Sequence, residues 1–502
     1  MTFSICRAHQ VLACNRGRLN VLRSTRYLIR RSSTASPQRE SAGLEPSAMW
    51  ASSYPEPADD FWRAVPVWKD VSEDDFMSWS WGVKNAIETP HGNTRKLFEF
   101  LHAVVPTEVP VPNSNGREGL QSRDTFLGDI LGGIKKSTMS VRVMPYILSR
   151  INWKDPANDP IFNQFIPQRS IMLPDREILN MDSLGEKDDA KANGAVVHRY
   201  HDKALFLPLG VCPTYCLFCT RSYGVGANTE LVTKEHFKLV RSRLEAAFEY
   251  IESQEGLCDI VVSGGDAYYL PPNVLEWIGD RLIGMKNIER FRFASKGLAV
   301  APHRFVDKKD PWTESLVRVS DKARRAGKHM ALHTHFNHPG EISWITEQAS
   351  RRLLESGVTV RNQTVLLRGI NDNVDTMSTL IRKLGKMAIQ PYYVYQCDLV
   401  PKIEHLRTPL STILHIESQI QGTTAGFYLP KFVVDLPGGG GKRPASLYES
   451  YDPQSGISTF TQPAIKSKGR ENKVYKYYDP VVLNGPDRNS SPGSMEGTVD
   501  SN

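Results

Sequence analysis

The 502-residue chain has no apolar run approaching the roughly 20 residues of a transmembrane helix, so we expect no membrane association. Cysteine is scarce as well, and seven residues in this length exclude a disulfide-stapled scaffold. Hydrophobic residues make up 40% of the chain and aromatic residues 9%, which is typical of a globular protein with a sizeable core. The length allows one large domain with accessories or two to three domains.

Acidic residues are absent from residues 1–39, which contain eight arginines. Without these arginines the chain has 54 basic and 55 acidic residues, so the formal net charge of +7 belongs to the N-terminus and does not predict nucleic-acid binding. An Arg- and Ser-rich leader without acids is typical of a mitochondrial presequence. We therefore predict a presequence over 1–39 and a location in the mitochondrial matrix, with a disordered basic tail as the alternative.

Three of the cysteines, Cys212, Cys216 and Cys219, stand in a C-x3-C-x2-C spacing. Three thiolates this close can hold three irons of a [4Fe–4S] cluster and leave the fourth iron open to a ligand. A structural zinc site is the alternative, but zinc usually requires a fourth Cys or His, and the nearest other cysteine is Cys258. An odd number of cysteines in a tight loop disfavours disulfides. The spacing therefore predicts an iron–sulfur cluster that takes part in chemistry.

Composition divides the rest of the chain into segments. Residues 40–66 begin with a stretch rich in Pro, Ser, Ala and Glu and are predicted as a linker. Residues 67–195 are predicted as an N-terminal helical region, which opens with a capping box at Ser72 and Asp75. Residues 446–502 are predicted as a C-terminal extension that is disordered at its end.

Residues 196–445 repeat one pattern, in which a short apolar run leads into a polar loop and then an amphipathic helix. Six such helices are predicted, near 233–252, 272–284, 312–326, 341–356, 373–387 and 411–420. Repeated βα units imply a parallel sheet, so the predicted fold is α/β, a (β/α)6 partial TIM barrel. The active site of such a barrel lies at the C-terminal ends of the strands, where the polar loops fall.

Two glycine-containing loops follow predicted strands. Gly264 and Gly265 would let a ligand approach the backbone, and Asp266 could receive an amino group, although a tight turn is the alternative. Lys442 ends the run GGGGK, which is not a phosphate-binding P-loop because Leu436 stands where the first glycine is required. A lysine on a flexible loop suits a Schiff base, and an exposed lysine in a glycine turn is the alternative.

Carboxylates and histidines also occur at strand ends. Asp398 and Asp435 each end an apolar strand, where they could bind a cationic group of a substrate or cap the next element. The histidines of HTHFNHP, His333, His335 and His338, have no acidic or cysteine partner at metal-ligand spacing. Cofactor contact or packing is therefore favoured over a metal site for these histidines.

Six motifs together, CPTYCLFCTR, SGGDA, THFNHP, NQTVLLRGIND, PYYVYQCDL and FVVDLPGGGGK, resemble the lysine 2,3-aminomutase family. Members of this family are radical S-adenosylmethionine enzymes that also use pyridoxal 5'-phosphate. The resemblance runs from about Trp68 to Pro444, through every motif in order. It implies a member of eukaryotic mitochondrial type whose residues 196–445 form a core of the radical S-adenosylmethionine type, including the lysine loop.

The resemblance also implies a role for each candidate residue. In the family's arrangement Cys212, Cys216 and Cys219 would hold the [4Fe–4S] cluster, and Lys442 would form the Schiff base with pyridoxal phosphate. Two further groups would contact the cofactors: Gly264, Gly265, Asp266, His335 and Gln363 for S-adenosylmethionine, and Arg199 and Tyr200 for pyridoxal phosphate.

The implied substrate is L-lysine, and the implied activity is that of an isomerase that moves the 2-amino group to C3 through a 5'-deoxyadenosyl radical. Arg221 would pair with the substrate carboxylate, and Asp398 and Asp435 would grip the side-chain ammonium. An electron donor such as a ferredoxin or flavodoxin-type protein is expected, as is a homo-oligomer. The alternatives are an aminomutase on protein-bound lysine or another cationic amino acid, and a non-catalytic relative that binds the cofactors.

The chain departs from the family's pattern at three places. Lys203 replaces a second arginine near pyridoxal phosphate, which keeps the charge and loses bidentate geometry. Residues 295–298 read Ser-Lys-Gly-Leu where the family has Ser-Arg-Thr-Pro. Asn373 stands at the position of a zinc-binding cysteine and the tail contains no cysteine, so we predict no structural zinc.

Overall fold

The computed structural model describes residues 57–112, 119–235, 237–462 and 473–481. The predicted presequence of residues 1–39, most of the predicted linker and the end of the C-terminal extension lie outside these ranges. In the part of the chain that is described, no helix combines the length and the apolar composition that crossing a bilayer would require.

The first part of the described chain is a mixture of short helices and two-stranded ribbons. Ser72 begins the first helix as predicted, since its hydroxyl accepts a hydrogen bond from the backbone N–H of Asp75 at 3.2 Å. The helix ends after one turn, and Ser78 caps a second one. The elements are α1 (Glu73–Phe76), α2 (Trp79–Asn85), β1 (Ile87–Glu88), α3 (Arg95–Val104), β2 (Glu108–Pro110), β3 (Leu120–Ser122), α4 (Arg123–Lys135), β4 (Arg142–Val143), α5 (Pro145–Leu148) and α6 (Phe162–Phe165).

Packed structure begins inside the predicted linker. Phe61, Trp62 and Val65 are buried in the main hydrophobic core. The Trp62 ring stacks on Phe76 with centroids 4.6 Å apart, and its indole N–H donates to the carbonyl of Val71. The apolar residues of this short stretch therefore belong to the core rather than to a connection.

A ten-stranded sheet forms the main body. Its seven central strands, β7 to β13, run parallel, while β6 and β14 pair antiparallel to them on either side and β5 completes one edge. The two edge strands do not pair with each other, so the sheet is an open half-barrel, which confirms the predicted α/β partial barrel. The strands are β5 (Ala190–Lys191), β6 (Val196–Val197), β7 (Lys203–Leu209), β8 (Asp259–Gly264), β9 (Arg290–Ala294), β10 (His329–Thr334), β11 (Thr359–Leu366), β12 (Gln390–Gln396), β13 (Lys431–Leu436) and β14 (Gly441–Pro444).

Helices cover the outer face of this sheet. Five of the six predicted helices have ends within three residues of the prediction, and one starts later, at Arg241 instead of near 233. Residues before Arg241 bond to other segments instead: the buried ammonium of Lys234 donates to the carbonyls of Thr138 and Ser222. The helices are α7 (Arg241–Ser253), α8 (Pro272–Gly284), α9 (Gly297–Val300), α10 (Trp312–Arg325), α11 (Trp344–Glu355), α12 (Val374–Lys386) and α13 (Leu410–Ile420).

The two faces of the sheet differ because side chains alternate along a strand. In β9, Phe291 and Phe293 are buried in the core beneath the helices, whereas Arg292 points to the concave face. Each such buried phenylalanine contributes about 1.5–3 kcal/mol to folding. In β11, Gln363 and Val365 likewise point inward. The fold thus places polar side chains on the inside of the half-barrel.

The predicted C-terminal extension folds into a small antiparallel sheet. It consists of β15 (Ser450–Asp452), β16 (Ile457–Thr461) and β17 (Val474–Tyr478). Phe460, Tyr475 and Tyr477 are buried in the same cluster as residues of α13 and β13. The side-chain amide of Gln462 donates to the carbonyl of Lys442 at 2.6 Å, so this sheet supports the lysine strand from outside.

Candidate active site

A cavity of about 370 Å³ occupies the concave face of the half-barrel. It is lined by residues from nine strands in a row, from Val197 of β6 to Lys442 of β14, which is possible only because the sheet is curled. All fourteen residues that the sequence predicts as site residues line this cavity. The fold therefore brings the predicted residues together around one cavity.

The cysteine loop follows β7 and is closed at its base, where the backbone N–H of Gly226 donates to the carbonyl of Gly210 at 3.1 Å. The N–H of Tyr215 donates to the carbonyl of Arg142, and the N–H of Leu217 donates to the carbonyl of Gln164. These bonds anchor the loop on the N-terminal part of the chain, so that part helps to position the cysteines. Sequence reasoning gave it no such role.

Burial disfavours charge on the three thiols. It raises the pKa of Cys212 well above the ordinary value, and the Asp266 carboxylate and the other two thiols add to the rise. Burial raises the pKa of Cys216 to about 12 and also raises the pKa of Cys219. In the described part of the chain, no three His, Cys, Asp or Glu side chains converge as ligands of a single metal ion would.

Gly264 and Gly265 end β8 against the start of the cysteine loop. Gly264 has φ +94°, and a Cβ there would lie 2.3 Å from the carbonyl oxygen of Leu209. The glycines are therefore required by the close approach of two backbones. This contact fixes the position of the start of the cysteine loop relative to the end of β8.

Asp266 follows these glycines and is 4% exposed. Its carboxylate oxygens accept the N–H groups of Tyr268 at 2.8 Å and Lys296 at 2.7 Å. Burial raises the pKa of Asp266 to about 6 in spite of these hydrogen bonds. The carboxylate thus holds the following turn.

The histidine and glutamine candidates lie on adjacent strands. Burial lowers the pKa of His335 well below the ordinary value, and its Nε2 lies 3.1 Å from Oδ1 of Asn337. Tyr392 donates its hydroxyl to Gln363 at 3.2 Å and lies at the same distance from Nδ1 of His333. His338 faces away from this group, and its Nδ1 accepts the backbone N–H of Gly340.

Lys442 lies directly across from Asp435, its register partner on β13. Its Nζ donates to Oδ2 of Asp435 at 2.8 Å. Burial alone would lower the pKa of Lys442, but Asp435 and Tyr200 outweigh it and the pKa is raised. Arg199 completes the group, because its Nη1 lies 3.8 Å from Oδ1 of Asp435. Lys442 is half-buried, which excludes the alternative of an exposed lysine in a turn.

Tyr200 fixes the backbone of the lysine strand. Its hydroxyl accepts the N–H of Lys442 at 2.8 Å and would lie 2.3 Å from a Cβ at Gly441, whose φ is +70°. The ammonium of Lys203 lies over the Tyr200 ring, 4.1 Å from its centroid. Lys203 also pairs with Asp202 at 3.0 Å, so the residue that replaces the family's second arginine is already engaged.

The two predicted substrate-binding aspartates have opposite electrostatic environments. Burial raises the pKa of Asp398 to about 7, helped by the nearby Asp435 carboxylate, and its one hydrogen bond comes from the Thr220 hydroxyl at 2.5 Å. Burial would raise the pKa of Asp435 too, but Lys442 and Arg199 outweigh it and the pKa falls. Among the residues that the structure describes, Asp435 therefore forms ion pairs with Lys442 and Arg199, whereas Asp398 forms none.

Arg221 is held by a residue that sequence reasoning missed. Its Nε and Nη2 donate to the two carboxylate oxygens of Glu186, at 2.8 and 2.6 Å. Burial would lower the pKa of Arg221, but Glu186 outweighs it and the pKa rises. Glu186 lies in an irregular segment before β5, where no periodic pattern marks a functional residue.

Two further departures from the family's pattern have structural roles. Lys296 is buried beside the cavity, with its Nζ donating to the carbonyl of His335 at 2.7 Å and lying 3.5 Å from Glu341. Asn373 caps α12, because its side-chain oxygen accepts the N–H of Thr376 at 2.9 Å. The prediction of no structural zinc stays a prediction.

Comparison with known proteins identifies relatives of this chain among aminomutases. No protein-family model matches the chain. It is 33% identical over 453 residues to the L-lysine 2,3-aminomutase of Clostridium subterminale, a match that covers 86% of this chain and 97% of the relative. It is 32% identical over 383 residues to the L-lysine 2,3-aminomutase of Bacillus subtilis (strain 168), covering 76% and 71%. The glutamate 2,3-aminomutase of Clostridioides difficile (strain 630) is 30% identical over 302 residues, covering 60% and 66%.

Proposed function

Since the chain belongs to the L-lysine 2,3-aminomutase family, we propose that it is an isomerase that moves the 2-amino group of L-lysine to C3, giving β-lysine. The observation that carries this proposal is one cavity that combines a three-cysteine loop after β7 with a lysine on β14 beside two aspartates. The first feature suits an iron–sulfur cluster with S-adenosylmethionine, and the second suits pyridoxal phosphate and a cationic amino acid.

The donor set at the cysteine loop fits a [4Fe–4S] cluster. Cys212, Cys216 and Cys219 all line the cavity from one loop, and in a [4Fe–4S] cluster each would bind a different iron. Their raised pKa values mean that the protein alone does not stabilise thiolates, so the thiols would lose their protons only when iron binds. Asp266, His335 and Gln363 border the same space and would bind S-adenosylmethionine.

The lysine strand fits pyridoxal phosphate. Lys442 follows a glycine loop and its amine lies inside the cavity, with Tyr200 bonded to its backbone. Asp435 holds the ammonium while the amine is free, and Arg199 lies on the other side of that carboxylate. These residues would border the cofactor and return Lys442 to one position whenever its amine is released.

The chemistry supplied by the bound groups is one-electron cleavage of S-adenosylmethionine to a 5'-deoxyadenosyl radical and stabilisation of the radical in which the amine migrates. The protein's part is to hold the amino acid. Asp398 forms no ion pair within the described part of the chain and would bind the side-chain ammonium of lysine. Arg221 would bind the carboxylate at the other end. With both ends bound, C2 and C3 are kept in one place during the transfer.

An anaerobic turnover assay tests the proposal. The full chain is reconstituted with iron, sulfide and pyridoxal phosphate and given S-adenosylmethionine, a reductant and L-lysine. We expect β-lysine together with 5'-deoxyadenosine or its regenerated precursor. A fully loaded protein that forms no β-lysine but releases 5'-deoxyadenosine with another amino acid contradicts the substrate and keeps the chemistry. Absence of both products contradicts the enzyme assignment and favours the non-catalytic alternative.

Glutamate is a second candidate substrate because one relative is named a glutamate 2,3-aminomutase. The carboxylates of Asp398 and Asp435 line the cavity, and a side-chain carboxylate placed beside them would be repelled. Supplying L-glutamate and L-lysine in the same assay distinguishes the two substrates. Protein-bound lysine is disfavoured because Arg221 would then have no carboxylate to bind.

We also propose that residues 1–39 direct the protein to the mitochondrial matrix. Support comes from the eight arginines and the absence of acidic residues in this stretch. A reporter fused behind residues 1–39 should enter mitochondria, and should stay outside when the arginines are replaced by glutamine. The radical reaction requires an electron donor, for which a ferredoxin or flavodoxin-type protein is proposed, and a homo-oligomer is the proposed assembly.

A further inference from the structure

Glu186 is a buried carboxylate at the edge of the cavity that the proposed reaction leaves without a role. Its side chain is 3% exposed, and both oxygens accept hydrogen bonds from Arg221. The hydroxyl of Tyr223 donates to Oε2 as well, at 3.0 Å. A buried carboxylate with three donors is held in one orientation, and it transmits that orientation to its partner.

The backbone around Glu186 is equally well fixed. Its N–H donates to Oδ1 of Asp182 at 2.8 Å. Nearby, the carbonyl of Ser183 accepts the N–H of Gly438, and the carbonyl of Leu184 accepts Nη2 of Arg199 at 2.6 Å. The segment 182–189 is thus anchored to the glycine loop that precedes Lys442 and to Arg199. Glu186 stands on a support shared with the lysine end of the cavity.

Glu186 engages only one edge of the Arg221 guanidinium. The Nε and Nη2 atoms face Glu186, while Nη1 has no hydrogen-bond partner among the residues that the structure describes. The Arg221 side chain is 18% exposed and lines the cavity. A planar guanidinium can bind one carboxylate on its Nε edge and a second end-on, because its five N–H donors point in fixed directions.

We propose that Glu186 is a positioning residue that holds Arg221 by its Nε edge and so presents the Nη1 end to the carboxylate of a free α-amino acid. This inference rests on the proposed function, because it assumes that Arg221 binds the substrate carboxylate. It deepens that function by assigning the preference for a free carboxylate to the pair of Glu186 and Arg221.

A competing arrangement makes the opposite prediction. If Glu186 occupied the atoms that the substrate needs, a substrate carboxylate would have to displace it, and removing Glu186 would strengthen binding. If Glu186 positions Arg221, removing it frees the guanidinium to rotate, so a substrate carboxylate must itself order that side chain and its binding weakens. Whether removal of Glu186 weakens or strengthens substrate binding therefore distinguishes the two arrangements.

The test compares L-lysine with L-lysinamide, which has the same side chain and lacks the carboxylate charge. Dissociation constants are measured on the full chain loaded with pyridoxal phosphate, from the change in absorbance of the cofactor, and kcat and KM are measured on the complete enzyme. The variants are Glu186→Ala and Glu186→Gln. Glu235→Gln is the matched control, since Glu235 pairs with Lys187 of the same segment and makes no hydrogen bond to Arg221.

In the wild-type protein L-lysine should bind more tightly than L-lysinamide. Glu186→Ala should weaken L-lysine binding roughly tenfold, which corresponds to the loss of one charge-assisted hydrogen bond between Arg221 and the substrate carboxylate. L-lysinamide should bind to this variant within about twofold of its wild-type affinity. Glu186→Gln should lie between, because it keeps one acceptor for Arg221, and in both variants KM should change more than kcat. Glu235→Gln should leave the ratio of the dissociation constants of L-lysine and L-lysinamide unchanged. If Glu186→Ala does not fold, Glu186→Gln carries the same comparison.

Two results overturn the inference while sparing the proposed function: an unchanged ratio of the two dissociation constants in the Glu186 variants of an active enzyme, or tighter L-lysine binding in either variant. A wild-type protein that binds neither ligand and forms no β-lysine sinks the proposed function itself, and the inference with it. These outcomes are distinguishable because the first two require an active wild-type enzyme.

Discussion

The two ends of the cavity hold their charged groups in different ways. At the cysteine end burial dominates: it raises the pKa of Cys216 to about 12 and that of Asp266 to about 6, and it lowers the pKa of His335. At the lysine end opposite charges are paired, with Lys442 2.8 Å from Asp435. The charged groups Lys442 and Asp435 at the lysine end thus neutralise each other in the protein alone. At the cysteine end, burial keeps the thiols protonated until a cation such as iron binds.

This difference teaches which half of the site depends on its cofactor. Ion pairs and hydrogen bonds preorganise the lysine end before any ligand binds, so a cofactor meets groups that are already in place. The thiols at the other end must lose protons to bind iron, and iron binding itself provides the driving force. Substitutions at the two ends should therefore differ in what they do to the cofactor-free protein as well as to activity.

Cys216→Ala should have the largest effect on activity. Without the third thiolate the proposed cluster would lose a ligand, so iron content should fall and the proposed β-lysine formation should be abolished. The cofactor-free variant should nonetheless unfold at the same urea concentration as the wild type within error, because no ion pair is lost. Iron analysis, turnover and urea unfolding measure the three quantities.

Cys258→Ala is the control for Cys216→Ala, since Cys258 lies outside the cysteine loop and does not line the cavity. It should retain iron and activity. Equal iron loss in both variants would mean that the loop is not the cluster site.

Lys442→Ala should lower kcat severely, because it removes the amine that would hold pyridoxal phosphate as a Schiff base. In contrast to Cys216→Ala it should keep its iron, and it should lose pyridoxal phosphate on gel filtration. Removing the ammonium also takes from Asp435 its ion pair with Lys442 at 2.8 Å and leaves the longer one with Arg199 at 3.8 Å, so the cofactor-free protein should be destabilised. Lys431→Ala, at the exposed start of the neighbouring strand β13, is the control and should retain activity.

Asp398 is the exception at the lysine end, and its pKa of about 7 predicts the pH dependence of substrate binding. The carboxyl group is neutral below that pH and can bind the lysine ammonium only when it is ionised above it. The value of kcat/KM for L-lysine should therefore rise with pH up to about 7, by roughly tenfold per pH unit well below the pKa. Asp398→Asn should remove this dependence and raise KM.

The same experiment discriminates between substrates. A glutamate side chain would bind better to the neutral form of Asp398, so its kcat/KM would fall as pH rises through about 7. A pH profile for L-lysine that is flat in this range would contradict the role of Asp398.

Periodicity in the sequence predicted where the loops of this site lie because βα repeats have a fixed geometry, whereas the roles of individual residues came from the family resemblance and stay predictions. The period of apolar runs placed the strands, and the loops after parallel strands meet at one edge, so residues as distant as Cys212 and Asp435 fall in one cavity. The resemblance also drew attention to the glycine loop before Lys442, which the structure places beside the cavity. The features that sequence analysis missed lie in segments whose apolar residues show no regular spacing.

Glu186 is the clearest omission. It belongs to an irregular segment, and its partner Arg221 is 35 residues away, a pairing that only the tertiary structure creates. The late start of α7 has a similar cause: an amphipathic pattern from 233 onward was overridden because Lys234 bonds to carbonyl groups of other segments. The three-stranded C-terminal sheet was also missed, since strands of three to five residues leave too few positions to show alternation.

Gly441→Ala should give the smallest of these effects and tests directly whether the lysine end is prebuilt. Gly441 has φ +70°, where a Cβ costs about 1–2 kcal/mol, and that Cβ would lie 2.3 Å from the Tyr200 hydroxyl. We expect lower stability in urea for the cofactor-free protein and weaker binding of pyridoxal phosphate. Gly128→Ala is the matched control, because Gly128 is exposed within α4 with no atom near its Cβ position, and it should gain about 0.5–1 kcal/mol. If the lysine end were assembled only by its cofactor, Gly441→Ala would leave the stability of the cofactor-free protein unchanged and would weaken cofactor binding alone.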